Sequence, residues 1–160
     1  GIQIARMLGA RVLATTSSEE KAARAREIGA DEVINYKTES VLERVRKLTD
    51  KQGVDVVIDH VGASIWEENI KMLAKGGRLV TCGATSGYEA KTDLRYIFYK
   101  QLQILGSTMG RKGDLMTIMN LIGQGKLKPV IDRVLPLSEV RLAHQIVEEG
   151  RHFGKIVLVW

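Results

Sequence analysis

With 160 residues, 44% hydrophobic and 27% charged, the chain has the composition of one soluble domain with its own core. It holds no apolar stretch near the roughly 20 residues of a membrane helix. The single cysteine, Cys82, excludes an internal disulfide and a cysteine-cluster metal site and fits a reducing, cytoplasmic setting. The formal charge is +5, but Lys and Arg are interleaved with Glu and Asp, so a mixed solvated surface is expected and a nucleic-acid patch is not.

Gly1 to Gly9 reads as a helix already under way that ends at Gly9, with neither initiator Met nor signal peptide, so further sequence upstream is expected. Arg11 to Thr15 is a β-branched run. The helix after it, from about Ser18 to Ile28, carries the small residues Ala22, Ala25 and Gly29 on one face, suited to close packing on a sheet. Glu32 to Asn35 is the next strand, and Val41, Val45 and Leu48 form one stripe of a helix over 39–48. Val54 to Ile58 is nearly continuously apolar, the pattern of a strand buried on both faces. Trp66, Ile70 and Leu73 line a helix, Arg78 to Cys82 is a strand, and Gln103 to Ser107 is another after an irregular stretch around Asp93 to Lys100.

Leu115, Ile118, Met119 and Ile122 have helical spacing, with Gly123-Gln124-Gly125 as the stop. Ser138 is expected to cap a last helix with Val140, Ala143, His144 and Val147 on one face, and Lys155 to Val159 is a final strand. Repeated strand and helix units imply right-handed crossovers and a parallel sheet covered on both faces, a doubly wound α/β domain.

In such a sheet ligands lie beyond the carboxyl ends of the strands. After the first strand comes Thr15-Thr16-Ser17-Ser18-Glu19-Glu20-Lys21. A site for NAD places a carboxylate at this strand end to bind the ribose 2′-hydroxyl. Here hydroxyls stand instead: Ser17, Ser18 and the helix-start amides can donate to a 2′-phosphate, and Lys21 adds positive charge. Ser17-x-x-Glu20 also fits a capping box, and the two readings are compatible.

Tyr36 follows the next strand and could reach the same pocket or simply pack. Asp59-His60-Val61-Gly62 and Cys82-Gly83-Ala84-Thr85-Ser86-Gly87 are glycine-containing strand exits where backbone can approach a ligand. Leu105-Gly106-Ser107-Thr108 is a further candidate of this kind. Cys82 has no companion at zinc-ligand spacing, His60 lacks a positioned carboxylate or nucleophile, and His144 sits on an apolar helix face. No residue is assigned a catalytic role.

The segments IQIARMLGARVLATTSSEEK, IGADEVINY, VDVVIDHVG, LAKGGRLVTCGATSG, ILGSTMG and GKIVLV, in this order, resemble the cofactor domain of zinc-type and quinone-oxidoreductase-like medium-chain dehydrogenases over essentially the whole chain. The resemblance implies a Rossmann-type fold and hydride transfer between NAD(P)H and an alcohol, aldehyde, quinone or enone. It implies NADP(H) contacts at Ser17, Lys21, Tyr36, Val61, Gly62, Cys82, Gly83, Ala84, Thr85, Leu105, Gly106 and Ser107, to which the reading of the first strand exit adds Ser18, its lack of a carboxylate making NAD(H) less favoured. It also implies a homodimer formed through the edge strand 103–107.

The family's first strand and GxGxxG turn do not occur in the sequence, nor does the catalytic domain through which alone zinc would enter. The family strand order 3-2-1-4-5-6 puts the missing strand between Arg11 to Thr15 and Val54 to Asp59. Residues 1–160 are thus expected to be a cofactor-domain fragment, inactive alone, whose full-length parent takes a small-molecule substrate. The run 155–160 would return to the catalytic domain and, lacking a partner, fray or dock elsewhere. The alternatives are an enoyl-reductase module of a larger synthase and a non-enzymatic nucleotide- or RNA-binding module.

Overall fold

The computed structural model describes residues 1–160. The chain divides into two compact units, one built from Gly1–Val33 with Arg111–Trp160 and the other from Ile34–Gly110. Strands pair in three ladders, with orders β1-β2, β3-β4-β5 and β6-β7.

In the first unit, α1 (Ile2–Met7) is closed by Gly9, whose amide donates to the Arg6 carbonyl at 3.0 Å. β1 (Leu13–Thr16) leads into α2 (Glu19–Glu27). α2 is rich in good helix formers, and Glu19 and Glu20 in its first turn with Arg24 and Arg26 near its end suit the helix dipole. Ala22 and Ala25 form its buried face and pack with Ala30 and Val33, while Ile2, Ala14 and Phe153 close the cluster. Such small side chains let backbones approach closely, as the sequence implies. Asp31 accepts from the Val12 amide at 2.7 Å and from Arg6 at 2.6 Å, fixing the chain at the start of β2 (Glu32–Asn35). Those bonds, the Val12 amide foremost, lower the Asp31 pKa.

α6 (Lys112–Gly123), β6 (Ile131–Pro136), α7 (Val140–Glu148) and β7 (Lys155–Val159) complete this unit. β6 and β7 run parallel, pairing Val134 with Val157 and Leu135 with Leu158. Gly154 enters β7 with φ +99°, and a Cβ there would lie 2.3 Å from the Val130 carbonyl oxygen, so only glycine fits. Asp132, on β6, has a side chain only 4% exposed. Its carboxylate accepts from Arg24 at 2.7 Å, Arg133 at 2.8 Å and the Phe153 amide at 3.0 Å. The Arg24 guanidinium also lies 4.7 Å from the centre of the Phe153 ring. These donors, Arg24 first, hold the Asp132 carboxyl well below the usual carboxylate range.

The second unit contains α3 (Val41–Leu48), capped by the Ser40 hydroxyl, which accepts from the Glu43 amide at 3.3 Å. β3 (Val54–Asp59), α4 (Trp66–Met72), β4 (Leu73–Thr81), α5 (Leu94–Lys100) and β5 (Gln103–Gly106) follow. β3 and β5 both pair parallel to β4, in register from Val56 opposite Arg78 to Asp59 opposite Thr81 and from Arg78 opposite Gln103 to Thr81 opposite Gly106. All three strands therefore end at one level. Ile70, Leu73, Leu79 and Leu102 form the core, against which Val54, Val57, Trp66, Tyr96 and Ile97 pack. Lys100 donates to the carbonyls of Lys71 and Leu73 at 3.0 and 2.6 Å, tying α5 to the end of α4, and burial pushes its ammonium pKa down.

Several expectations change. β3 is not buried on both faces: it is an edge strand bonded to β4 alone, and Val56 and Ile58 are 45% and 63% exposed. The Asp93 to Lys100 stretch is a helix, started by the Asp93 carboxylate accepting from the Arg95 amide at 3.0 Å. The run at 155–159 neither frays nor lacks a partner, because it pairs with β6, a strand the sequence reading did not identify. Ser138 lies in a short 3-10 turn, Leu137–Glu139, and caps no helix. On α7 the buried residues are Ala143 and Ile146, and His144 is exposed. Within the β1-β2 and the β3-β4-β5 ladders, the strands that neighbour one another are those expected from the sequence.

Removing the Asp132 charge leaves Arg24 without its buried partner, and Asp132→Asn should cost about 2 kcal/mol at neutral pH. Because the folded-state pKa is depressed, this stabilisation is complete above the ordinary carboxylate value of about 4. It is lost as pH falls toward the lower folded value. The gap in denaturant unfolding between the two proteins should therefore be smaller at pH 2 than at pH 7; an equal gap at both values would rule out the charge as its source.

Candidate functional site

In the second unit the parallel register brings the exits of β3, β4 and β5 side by side. β3 ends at Asp59, which is 2% exposed. Its carboxylate accepts from the Val61 amide at 2.8 Å and from the Gly62 amide at 3.2 Å through each oxygen, curling His60-Val61-Gly62 over the strand end. Gly62 has φ +90°, and a Cβ there would stand 2.7 Å from the Gly87 carbonyl oxygen and 2.8 Å from the Ala84 Cα. Glycine is thus required by backbone conformation and by the approach of the second loop.

That second loop leaves β4 and is laced to the first. The Cys82 amide donates to the Asp59 carbonyl at 2.8 Å, the Ser86 amide to the Val61 carbonyl at 2.8 Å, and the Ala63 amide to the Gly87 carbonyl at 3.0 Å. The Ser86 hydroxyl donates to the Val61 carbonyl at 2.7 Å and accepts from the Ser64 amide at 3.0 Å. Beside β5, the Ser107 amide donates to the Thr81 carbonyl at 2.9 Å.

Two cavities open on these loops. An open cleft of about 420 Å³ is lined by Thr81, Cys82, Gly83, Ala84, Gly106, Ser107 and Thr108. A smaller one, about 240 Å³, is lined by Gly62, Gly83 and Ala84 together with Trp66, Tyr88 and Thr92, and the Trp66 indole donates to the Thr92 hydroxyl at 2.9 Å. The amides of Gly83 and Ala84 donate to no acceptor within the chain, so backbone donors are available where both cavities meet the loop.

Of the residues singled out in the sequence, Cys82, Gly83, Ala84, Gly106 and Ser107 come together around the larger cleft, and Gly62 joins Gly83 and Ala84 at the smaller. Val61, Thr85 and Leu105 line neither cavity. Val61 supplies a carbonyl to Ser86, the Thr85 hydroxyl donates to the His60 carbonyl at 3.4 Å, and Leu105 is exposed on β5. Tyr36, following β2, is exposed with the Lys37 ammonium 5.8 Å from its ring centre, and it lines neither cavity. Trp66, Tyr88 and Thr92 were not identified as site residues. Nor was the structural role of Asp59, although a carboxylate before a turn glycine is a recognisable sequence signal.

In the first unit, Ser17 and Ser18 follow β1. The cap of α2 is Ser18 and not Ser17: its hydroxyl accepts from the Lys21 amide at 3.3 Å, so no Ser17-x-x-Glu20 box forms. The Lys21 ammonium donates to the Gly150 carbonyl, which orients it while leaving two of its protons for another acceptor. His, Cys, Asp and Glu side chains nowhere gather in a group of three or more that could hold a metal ion. Cys82 has no second soft ligand beside it, so the residues present do not fit a zinc centre.

Residues 1–124 match the model of the zinc-binding dehydrogenase family. The quinone oxidoreductase of Pseudomonas aeruginosa is 34% identical over 166 residues, covering 98% of this chain and 51% of the relative. A crystal structure of an NAD-dependent alcohol dehydrogenase superposes with a TM-score of 0.92 at 48% identity, over 99% of this chain and 46% of that one. The 2-octenoyl-CoA carboxylase reductase CinF, in complex with NADP and 2-octenoyl-CoA, gives a TM-score of 0.89 at 29% identity, over 99% of this chain and 39% of that one. The chain spans about half the length, or less, of the proteins it matches. The strands and helices described above are those of a Rossmann-type cofactor domain, and the chain belongs to the zinc-binding dehydrogenase family.

Proposed function

We propose that the chain binds the nicotinamide dinucleotide of a medium-chain oxidoreductase, with NADP(H) preferred over NAD(H). The observation that carries this reading is the cleft at the exits of β4 and β5, where Cys82, Gly83, Ala84, Gly106 and Ser107 converge beside unpaired backbone amides. Ligands in open α/β sheets lie in this position. The bound nicotinamide supplies or accepts the hydride. The chain's own residues position it: the glycine-bearing loops approach closely, and the Gly83 and Ala84 amides donate to ribose, phosphate or carboxamide oxygens.

The NADP preference rests on Ser17, Ser18 and Lys21 and on Thr15-Thr16 standing where an NAD site would place a carboxylate. The substrate class is an alcohol, aldehyde, quinone or activated enone. The enone is favoured by CinF, whose structure holds 2-octenoyl-CoA. The setting proposed is cytoplasmic, and no helix is long and apolar enough to cross a membrane. The oligomer proposed is a homodimer through β5, whose residues are all exposed and which is bonded to β4 alone.

Fluorescence titration should show NADPH binding more tightly than NADH. Lys21→Ala should weaken NADPH about fivefold to tenfold while leaving NADH unchanged, the size of one partly exposed charge contact. Equal losses for both cofactors would defeat the phosphate argument.

Ile104→Asp, which puts a charge on β5, should shift sedimentation from dimer to monomer without lowering the melting temperature by more than a few degrees. A wild-type chain that sediments as a monomer at all concentrations would remove the dimer.

A further inference from the structure

We propose that Asp59 and Ser86 are positioning residues that lock the two strand-exit loops into one preformed cradle for the cofactor, an inference that rests on the dinucleotide reading above. Asp59 is nearly inaccessible, yet it makes no ion pair; its carboxylate partners are the amides of Val61 and Gly62. Burying a carboxylate without a cation is costly, and a hydrophobic residue could fill the same space. What the carboxylate contributes is direction. By drawing both amides down onto the strand end, it turns the His60 and Val61 carbonyls toward the second loop, where they accept from Thr85 and Ser86.

Ser86 completes the lock from the other side. Its hydroxyl uses its proton on the Val61 carbonyl and a lone pair on the Ser64 amide, so one side chain spans the turn that Asp59 shapes. The loops have little room to adjust: a Cβ on Gly62 would collide with the Gly87 carbonyl and the Ala84 Cα, and one on Gly83 would stand 3.0 Å from the His60 carbonyl oxygen. Gly83 and Ala84, which line both cavities and whose amides have no acceptor within the chain, are thereby fixed before any ligand arrives. Preorganised donors spare the binding event the ordering of a loop.

The test combines amide hydrogen exchange of the ligand-free protein, NADPH titration and thermal unfolding for wild type, Ser86→Ala, Ser86→Thr and Asp59→Asn. Ser86→Ala should speed exchange at Val61, Gly62 and Ser64 and raise the NADPH dissociation constant about fivefold, with the melting temperature little changed. Ser86→Thr, which keeps the hydroxyl, should restore both readouts. Asp59→Asn should act in the same direction and more strongly; should it fail to fold, the Ser86 pair decides the matter.

Faster exchange with unchanged NADPH affinity would overturn the inference, as would weaker binding that merely follows a lower melting temperature. Unprotected loop amides in the wild type would remove the preformed cradle while leaving the dinucleotide reading intact. Protected loops in a wild type that binds neither NADPH nor NADH would overturn the dinucleotide reading, and the cofactor role of Asp59 and Ser86 with it.

Discussion

The parallel register of β3 on β4 is the constraint from which the candidate site follows. Pairing Asp59 with Thr81 ends both strands at one level, and pairing Thr81 with Gly106 brings β5 to the same level. Three loops must then leave from adjacent points, and their backbone groups can be satisfied only by one another or by a ligand. Most find partners across the β3 and β4 exits. The Gly83 and Ala84 amides do not, and they stand where the cavities open. A slip of one residue in either ladder would separate these exits and reverse the face on which Leu79 reaches the core.

The first unit is held by a different device. Its small-residue core of Ala22, Ala25 and Ala30 brings elements close but buries modest apolar area. Polar anchors add to it at two points: Asp31 joins Arg6 to the Val12 backbone, and Asp132 joins Arg24, Arg133 and the Phe153 backbone. Asp132 is the more deeply buried, so it contributes more than an exposed ion pair, whose gain solvent largely screens. α6 is the contrasting case, for it has helical spacing but no buried residue, and Leu115, Met116 and Met119 remain exposed.

The strand and helix order was readable wherever apolar periodicity or turn residues marked it, as in α1 with Gly9, α3 with its Val41, Val45 and Leu48 stripe, and the apolar runs of β3 and β4. β6 escaped because Asp132 and Arg133 interrupt the apolar pattern of Val130, Ile131 and Val134, and Pro129 and Pro136 make the stretch read as a turn. The charge at Asp132 belongs to a buried network that no local pattern reveals. α5 escaped because its aromatic residues are weak helix formers, and only the Asp93 cap announced it. At the site, glycines after strands pointed to the cleft. Trp66 and Tyr88 could not be placed there, because their position depends on how the loop after β4 returns past α4.

Cys82 is the only thiol in the chain, is exposed, and forms part of the cleft wall. It is therefore a native labelling point. A maleimide dye attached there needs no engineered cysteine, reacts at one position only, and reports from inside the cleft, so that a ligand occupying the cleft competes with the reagent and slows its coupling. The rate of alkylation is thus a direct gauge of occupancy for any small molecule offered to the protein, whether or not that molecule absorbs or fluoresces.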